Sequence, residues 1–446
     1  MTSLFSHSVR SEMLALYAIE NCTIALFVFA LLPVAAAGAT PSEMAAAAGF
    51  SVLVAICAGL VFGAIGLYRP TALQGLRPSA VRGVTGVVLL AITVSILTGI
   101  LPFSRGPGTF GQALTAAIAG TVAAMVLARF VFGLLRFPLQ RLALVGQPEF
   151  GIGDPADPHR SYLPYEVTLA LPVGEALLDA VERGRLRAWR IWAVVAPSHA
   201  PLAPATQKRC GAAGLQVFTE AEFSEYGLNR IDIDKLPEGW LASANATKSS
   251  AWSDALRRAL DIAFALSLLI LTLPLLVLTM LAIRLDGPGS IFYRQERVGR
   301  DGRTFDLLKF RSMIPDAEAK GAPRWATRGD SRVTRVGRFL RLCRIDEIPQ
   351  VINVLRGDMS VIGPRPERPG FVEQLGAIIP HYHDRAVVKP GITGWAQVNY
   401  PYGASVEDAR MKLSYDLYYI RRRSLFLDVL ILLSTVRVVL FQEGAR

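Results

Sequence analysis

The sequence contains few charged residues and few cysteines for its length. Charged residues make up 19% of the 446 residues and hydrophobic ones 52%, which is too apolar for an ordinary soluble enzyme and indicates membrane segments. The cysteines are Cys22, Cys57, Cys210 and Cys343. They show no CxxC spacing, which argues against a disulfide framework and against a zinc site. His381 and His383 lack an evident third ligand, so a metal site built on histidine is not expected.

Negative charge is also scarce. The chain has 47 Lys and Arg residues against 36 Asp and Glu residues, a formal net charge of +11. A basic membrane protein usually meets phosphate groups, either on lipid headgroups or on a phosphorylated substrate. Nucleic acid is the other usual partner of a basic chain, but the apolar composition argues against it.

Four apolar runs open the sequence, and each approaches the roughly 20 residues that a helix needs to cross a bilayer. They are 13–37, 45–67, 84–101 and 112–135. Arginines are concentrated in the second connection and after the fourth run: Arg69, Arg77, Arg82, Arg136 and Arg141. The first connection has no Lys or Arg, and the third has only Arg105. Because cytoplasmic loops are the ones rich in Lys and Arg, both ends of this helix bundle are predicted to face the cytoplasm.

The next part of the chain has the pattern of a small parallel α/β domain. Strand patterns at 141–146 and 188–197 alternate with a helical pattern at 175–186, and 214–223 looks like a third strand turning into a helix. The first strand is followed by Gly146-Gln147-Pro148 and not by GxGxxG. Since the dinucleotide fingerprint is absent, we expect a structural or regulatory domain without a nucleotide cofactor.

A fifth apolar run follows. Residues 259–283 are long enough to span a bilayer, but Arg257 and Arg258 precede the run and further arginines follow it, so both ends prefer the cytoplasm. Pro274 lies within the run, where it removes a helix hydrogen bond. A re-entrant helix, 254–285, that enters one leaflet, bends at Pro274 and returns satisfies both facts. A kinked transmembrane helix is the alternative.

Two further segments suit the membrane interface. In 332–344 an arginine recurs every third residue with apolar residues between, a pattern typical of an amphipathic helix lying along the surface. An ordinary surface helix of a basic domain is the alternative. Residues 424–442 are apolar but interrupted by Asp428 and Arg437, which favours an interfacial or core-packed helix over a span.

Charged residues that could act on a phosphate group lie in two C-terminal motifs. In KFRSM, Lys309 and Arg311 are two residues apart, so on a strand they would share a face and could hold a diphosphate. A charged sheet face is the alternative. Asp346 and Glu347 are adjacent in an arginine-rich setting, where one carboxylate could attack phosphorus and the other could hold Mg²⁺. Adjacent acids are also common on protein surfaces.

Two turn-rich segments could bring further groups to a ligand. GPRPE, 363–367, presents Arg365 between prolines that stiffen the chain. In KPGITGWAQVNY, glycines allow close backbone approach, and Trp395, Gln397 and Asn399 add an aromatic ring and two amides. A plain proline-rich turn and a tight turn packed by its own tryptophan are the alternatives.

Together these motifs resemble the bacterial sugar transferase family, the polyprenyl-phosphate hexose-1-phosphate transferases, also called monotopic phosphoglycosyl transferases. The resemblance covers about 253–446 and rests on three segments in order: DGPGSIFYRQERVGRDGRTFDLLKFRSM, RIDEIPQVINVLRGDMSVIGPRPE and KPGITGWAQVNY. With its upstream apolar runs the chain looks like the large subclass, which begins exopolysaccharide, capsule or O-antigen assembly. Its ending looks most like the exopolysaccharide enzymes associated with PEP-CTERM and exosortase systems.

The resemblance implies a membrane protein of mixed α and α/β type. The implied domains are a four-helix transmembrane bundle (1–138), a degenerate Rossmann-like cytoplasmic domain (139–248) and a monotopic α/β catalytic domain (249–446) with the re-entrant helix and interfacial amphipathic helices. The family transfers a hexose 1-phosphate from a UDP-hexose to undecaprenyl phosphate and releases UMP. The implied location is the cytoplasmic face of the bacterial inner membrane, within the lipid bilayer, and the large subclass suggests a homodimer.

The resemblance also implies roles for single residues. Asp346 is predicted to be the nucleophile that forms a covalent phosphosugar. Glu347, the second predicted catalytic residue, is predicted to help position Mg²⁺ or the catalytic carboxylate. The other predicted substrate-binding residues are Lys309, Arg311, Arg365, Glu367, Gln397, Asn399 and Asp416. The break in the re-entrant helix is predicted at Pro274, where Leu273-Pro274 replaces the Ser-Pro that is frequent in the family.

Other functions fit parts of the sequence. A glycosyltransferase that moves the sugar alone would release UDP. An inactive membrane scaffold could have lost any of the acidic and basic motifs that are intact here. A transporter would need ionisable residues in mid-span, which the bundle lacks, since Glu20 lies near one end of its run.

Overall fold

The computed structural model describes residues 2–4, 7–9, 11–32, 40–68, 76–100, 109–134, 140–146, 165–172, 175–248, 250–314, 332–400, 403 and 405–441. The chain forms two compact units, Met1–Leu228 and Asn229–Arg446. Of the residues on which sequence predictions rest, Arg69, Arg105, Arg136, Gln147 and Pro148 lie outside the described residues.

Long apolar helices dominate the start of the first unit. They are α1 (Ser11–Leu31), α2 (Pro41–Ala64), α3 (Leu76–Ile100) and α4 (Thr109–Leu134), preceded by an antiparallel pair, β1 (Thr2–Leu4) and β2 (His7–Val9). Each helix contains a stretch long and apolar enough to cross a membrane. At the start of α2, Thr40 and Glu43 form a capping box that satisfies free amides of the first turn. The helices indicate a membrane-associated protein, as the composition predicts.

The helices of the first unit approach one another closely. α1 lies against α2 and α4, and α3 also lies against α2 and α4. A Cβ on Gly120 would collide with the backbone of Val28, so glycine permits the close contact of α1 and α4. Glu20 is buried, and its Oε1 lies 3.4 Å from Arg129 Nε of α4. Because α1 ends at Leu31, Glu20 is nearer the middle of its helix than the apolar run predicts.

A four-stranded parallel sheet follows in the first unit. Its strands are β3 (Gln140–Val145), β4 (Tyr165–Leu171), β5 (Ile191–Ala196) and β6 (Gln216–Thr219), in the order β4-β3-β5-β6. The helices around it are α5 (Glu175–Glu182), α6 (Arg185–Ala188), α7 (Pro204–Ala212) and α8 (Glu220–Gly227). Val194 and Val195 of β5 belong to separate apolar clusters, as expected for a strand buried on both faces. The sequence predicts this parallel α/β arrangement but misses β4.

The second unit combines helices with two short strand pairs. Its helices are α9 (Ala251–Asp286), α10 (Arg335–Leu342), α11 (Gln350–Arg356), α12 (Pro369–Ile378), α13 (Trp395–Asn399), α14 (Val406–Arg422) and α15 (Leu425–Phe441). Antiparallel β7 (Phe292–Val298) and β8 (Thr304–Phe310) form one pair, and parallel β9 (Ser360–Ile362) and β10 (Gly391–Thr393) form the other. Two 3₁₀ segments, Ile345–Glu347 and Tyr382–Val387, lie near the candidate site.

Residues 229–248 belong to the second unit, although the sequence places them in the preceding domain. Ile231 N donates to Ser414 O at 3.0 Å, and Trp240 Nε1 donates to Asp384 Oδ2 at 2.7 Å. The Trp240 ring is buried in the large apolar core of this unit. These contacts make the segment a part of the C-terminal fold.

α9 is one 36-residue helix that continues through Pro274. Near its N-terminal end, Arg258 donates to two carbonyls at the end of α11, at 2.6 and 2.8 Å. At its C-terminal end, Arg311 donates to three carbonyls, at 2.5 to 3.1 Å. Between the ends one side packs against the unit, while Ile270 and Leu271 on the other side are 70% and 79% exposed. The same unit therefore holds both ends of this helix.

The two segments predicted to be interfacial differ in their packing. α10 buries Leu340 and exposes Phe339 and Leu342, which fits an amphipathic helix with an unpartnered apolar edge. α15 buries Leu427 and Ile431 in the large core, in line with the core-packed interpretation.

Candidate active site

The acidic pair lies on the 3₁₀ segment between α10 and α11. Arg344 adopts a left-handed backbone conformation and turns the chain after α10. Ile345 is buried with Leu340 in an apolar cluster that includes side chains of α9. This packing fixes the segment from which Asp346 and Glu347 extend.

Glu347 is surrounded by cations. Its Oε1 accepts hydrogen bonds from Lys309 Nζ at 3.0 Å and from Arg365 Nη2 at 2.6 Å. Its Oε2 lies 3.5 Å from Arg344 Nη1. Burial opposes the charge of Glu347, but Arg365 and Lys309 outweigh this effect and hold the pKa of the carboxyl well below its usual range. Glu347 is therefore ionised at neutral pH and orders the cations around it.

Asp346 has a different environment. It is 8% exposed, and no hydrogen bond or ion pair joins its carboxylate to any other residue in the described part of the chain. Burial, reinforced by the charge of Glu347, raises the pKa of Asp346 to about 6, although Lys309, Arg341 and Arg365 favour the ionised form. At pH 7 Asp346 is thus largely a carboxylate whose oxygens are not engaged by the protein.

Lys309 reaches the pair from β8, and Asn353 fixes this strand. The buried Asn353 accepts from Leu308 N at 3.0 Å through Oδ1 and donates to Asp306 O at 2.7 Å through Nδ2. Asn353 belongs to α11, which begins three residues after Glu347. The strand that carries the lysine and the turn that carries the acids are therefore tied to the same helix.

Arg365 is presented by a loop with a closely packed backbone. Gly363 N donates to Thr393 O, and Gly391 N donates to Pro364 O, both at 2.9 Å. A Cβ on either glycine would collide with main-chain atoms of the other segment, so both positions require glycine. The GPRPE and KPGITG motifs are therefore one structural element.

Further charges lie beside this loop. Asp416 is 2% exposed and accepts from Arg385 Nη2 at 2.8 Å. Burial raises the pKa of Asp416 to about 6, opposed by Arg385 and reinforced by Glu367. The Glu367 carboxylate lies 3.6 Å from Arg297 Nη1. Two further ion pairs, Arg297 with Glu367 and Arg385 with Asp416, thus lie next to Arg365.

Three predicted residues have other partners. Arg311 directly follows the end of β8, and its guanidinium binds carbonyls at the end of α9, whereas Lys309 binds Glu347. Gln397 Nε2 donates to Ile392 O, and Asn399 Nδ2 donates to Trp395 O, each at 3.0 Å. In this structure these three side chains support the backbone.

Sequence reasoning missed Arg344 and Arg385. In the sequence Arg344 is the last of the recurring arginines in 332–344, and its position two residues before Asp346 is a usable signal. Arg385 has no such signal, because its partners Arg365 and Asp416 are 20 and 31 residues away along the chain.

The contacts of Glu347 do not fit the predicted role of this residue as a magnesium ligand. Magnesium binds carboxylate oxygens, but both oxygens of Glu347 face cations of the protein. Within the described ranges, no group of three or more His, Cys, Asp and Glu side chains could hold a metal. The magnesium requirement stays a prediction from the resemblance.

Comparison with known proteins decides the family. The family described as bacterial sugar transferase matches residues 252–442. A UDP-glucose:undecaprenyl-phosphate glucose-1-phosphate transferase of Caulobacter vibrioides is 44% identical over 194 residues, which is 43% of this chain and 72% of that protein. The chain belongs to the bacterial sugar transferase family. The resemblance drawn from the sequence motifs is thereby confirmed.

Other relatives carry related names. A UDP-N-acetylgalactosamine-undecaprenyl-phosphate N-acetylgalactosaminephosphotransferase of Aeromonas hydrophila is 45% identical over 238 residues, 53% of this chain and 55% of that protein. A putative undecaprenyl-phosphate N-acetylgalactosaminyl 1-phosphate transferase of Bacillus subtilis is 52% identical over 131 residues, 29% of this chain and 73% of that protein. The chain thus spans about half the length of the Aeromonas protein.

Replacing the two acids separately is expected to change stability in different directions. Burial raises the pKa of Asp346 from 3.8 to about 6, so its ionisation destabilises the folded state progressively as the pH rises from about 4 and fully above about pH 6. Asp346→Asn should therefore leave the Tm unchanged or raise it at pH 7.5. Glu347→Gln removes the charge that Lys309 and Arg365 share, and should cost about 1–3 kcal/mol. Thermal unfolding of the full chain in detergent measures both.

Glu373→Gln, on an exposed position of α12, is the matched control and should leave the Tm unchanged. At pH 5 any gain from Asp346→Asn should shrink, because the wild-type carboxyl is then mostly protonated. A loss of stability in Asp346→Asn as large as that in Glu347→Gln would contradict the unequal roles of the two acids.

Proposed function

We propose that the chain transfers a hexose 1-phosphate from a UDP-hexose to undecaprenyl phosphate and releases UMP through a covalent phosphosugar on Asp346. The observation that carries this proposal is the unequal environment of the acidic pair. Glu347 is engaged by cations, whereas Asp346 is a buried carboxylate with no protein partner among the described residues. Such a carboxylate can attack phosphorus, while a fully paired one cannot do so without first losing its partners. The names of the relatives support the same class of substrates.

The first step uses Asp346 as the nucleophile. One of its oxygens forms a bond to the β-phosphorus of the UDP-hexose, the bond from that phosphorus to the bridging oxygen breaks, and UMP leaves with the electron pair. Lys309 and Arg365 supply positive charge beside the diphosphate. Because Glu347 holds both cations in advance, they need little reorganisation during the reaction.

The second step regenerates the enzyme. A phosphate oxygen of undecaprenyl phosphate attacks the phosphorus of the intermediate, and the bond from phosphorus to Asp346 breaks. The leaving carboxylate has a pKa of about 6, so it leaves without help from a general acid. Both steps are phosphoryl transfers, which depend on alignment and charge more than on proton transfer.

The contacts of α9 support a monotopic arrangement of the catalytic part. Arg258 and Arg311 hold the two ends of α9 within one unit, which favours a position of both ends on the same side of a membrane. Its exposed apolar side, which includes Ile270 and Leu271, can enter the cytoplasmic leaflet. Pro274 has no N–H to donate to the preceding turn, which makes it the point where the helix can bend. We therefore propose a re-entrant helix at 254–285.

The architecture of the remaining chain belongs to the same proposal. α1 to α4 would form the four-helix transmembrane bundle of the inner membrane, and the parallel sheet would be the degenerate Rossmann-like domain on its cytoplasmic side. The division into 1–138, 139–248 and 249–446 and the homodimer stay predictions. The proposed pathway role is the initiation of exopolysaccharide synthesis. The relatives differ in the sugar they are named for, so the hexose is left to experiment.

Membranes that contain the full chain should release UMP from one member of a panel of UDP-hexoses when undecaprenyl phosphate and Mg²⁺ are present. Asp346→Asn should abolish this release, because an amide is not a nucleophile towards phosphorus, while the exposed control Glu373→Gln keeps it. Release of UDP would instead identify transfer of the sugar alone. No nucleotide release from the folded wild type would favour the inactive scaffold.

The rate should depend on pH through Asp346. The carboxylate form is the active one, so kcat/KM should fall about tenfold per unit as the pH decreases below about 6. Glu347 stays ionised across this range because its pKa is low. Asp416 also has a pKa of about 6, so the profile is measured in parallel for Asp416→Asn. A limb that persists there belongs to Asp346, and a rate unchanged from pH 7 to pH 5 would contradict its role.

Cysteines placed at the two ends of α9 should lie on the same side of the membrane. In a background without Cys22, Cys57, Cys210 and Cys343, the exposed positions Trp252 and Leu285 are each changed to cysteine. Neither should react with an impermeant maleimide in intact cells, and both should react after permeabilisation. Ser42→Cys, in the connection predicted to be external, is the positive control. Labelling of only one end in intact cells would show a spanning helix.

A further inference from the structure

The loop that carries Arg365 is held by its main-chain carbonyls. Four consecutive carbonyls, those of residues 364–367, accept hydrogen bonds from other parts of the second unit. The donors are Gly391 N to Pro364 O at 2.9 Å, Arg385 Nη2 to Arg365 O at 2.9 Å, Arg297 Nη1 to Pro366 O at 3.1 Å and Val298 N to Glu367 O at 2.9 Å. Pro364 and Pro366 have no N–H, so they cannot donate hydrogen bonds within the loop. The contacts that hold its main chain come from donors in other segments.

Arg385 makes the central contact of this set. The same Nη2 that binds Arg365 O also donates to Asp416 Oδ2 at 2.8 Å, and Nη1 donates to Tyr382 Oη at 2.9 Å. Its side chain is only 12% exposed. Burial opposes its charge, but Tyr382 and Asp416 outweigh this and raise the pKa of the guanidinium. Arg385 is therefore a permanently charged group enclosed by three acceptors.

We propose that Arg385 is a positioning residue that fixes the backbone of Arg365, with Asp416 as its counter-ion, so that the Arg365 guanidinium stays on Glu347. Three hydrogen bonds connect these residues in series. Arg385 donates to the Asp416 carboxylate and to the main-chain carbonyl of Arg365, and the Arg365 side chain donates to Glu347 at 2.6 Å. No hydrogen bond or ion pair joins Arg385 directly to the acidic pair in the described part of the chain, so it acts through Arg365. The inference rests on the proposed function.

An arginine is needed at this position because of its shape. Its planar fork serves Tyr382 from one nitrogen and both Arg365 O and Asp416 from the other. A lysine keeps the charge but has one nitrogen on a flexible stem, so it cannot hold all three acceptors in this geometry. The Arg365 loop would then be free to shift, and a displacement of about 1 Å in a positioning group can cost about 100-fold in rate.

A double-mutant cycle tests the proposal in membranes that contain the full chain, with the UDP-hexose that gives UMP as the probe. The variants are Arg365→Lys, Arg385→Lys and both together, and the readout is kcat/KM for UMP release. Each single variant should lose about 10- to 100-fold. The double variant should be no worse than Arg365→Lys alone, because the two residues act in series. Arg183→Lys, in an exposed ion pair of the first unit, is the control and should keep wild-type activity.

Each outcome supports or overturns one statement. Losses that multiply in the double variant would show that Arg385 supports the fold independently of Arg365, and would overturn the inference while leaving the proposed function intact. An Arg365→Lys variant with full activity would overturn the inference together with the role of Arg365. A folded wild type that releases no UMP would overturn the proposed function itself.

A second variant guards against a folding defect in Arg385→Lys. Arg297→Lys changes the donor to the next carbonyl, Pro366 O, and should give a smaller loss that is also not additive with Arg365→Lys. Its Tm is measured beside that of Arg385→Lys. If Arg385→Lys does not fold, an additive effect of Arg297→Lys still overturns the view that these arginines act through the loop.

Discussion

The ion pairs of Glu347 are the interaction on which the candidate site depends. A buried ammonium and a guanidinium next to each other repel and are costly to desolvate, unless an anion lies between them. Glu347 supplies that anion for Lys309 and Arg365, which come from a strand and a loop distant in sequence. Because Glu347 meets this need, Asp346 does not have to, and its oxygens stay free. The pairing of Glu347 with these cations therefore explains why one of the two adjacent carboxylates is engaged and the other is not.

Arginines that bind main-chain carbonyls recur in the second unit. Arg258 does so at the end of α11, Arg311 at the end of α9 and Arg385 at the Arg365 loop. These carbonyls lie at helix ends or in a loop, where regular secondary structure supplies fewer donors. The excess of basic residues, which the composition alone attributes to phosphate partners, is therefore used in part to hold this fold together. Net charge is accordingly a poor guide to which arginine meets a ligand.

Prediction succeeded where a local pattern carried the information. The apolar runs gave the long helices, and the motifs gave Lys309, Glu347 and Arg365, which the structure brings into one cluster. Arg311 directly follows the last residue of β8, and its guanidinium binds carbonyls at the end of α9, which a two-residue spacing does not reveal. Arg385 could not be found, since its partners are set by tertiary packing alone. Which of the two adjacent acids is paired with cations likewise could not be predicted without the positions of those cations in the fold.

The second unit begins before the stretch that matches the family pattern, because it includes the segment that precedes α9. The pattern begins at residue 252, but Asn229 O accepts from Trp395 Nε1 at 2.9 Å, and Asn229 Oδ1 accepts from Tyr418 Oη at 3.0 Å. A fragment cut at residue 249 would leave both aromatic donors without these partners and would uncover the core beneath Trp240. A fragment intended to keep the second unit intact should therefore start at Asn229, about 20 residues before the family pattern begins.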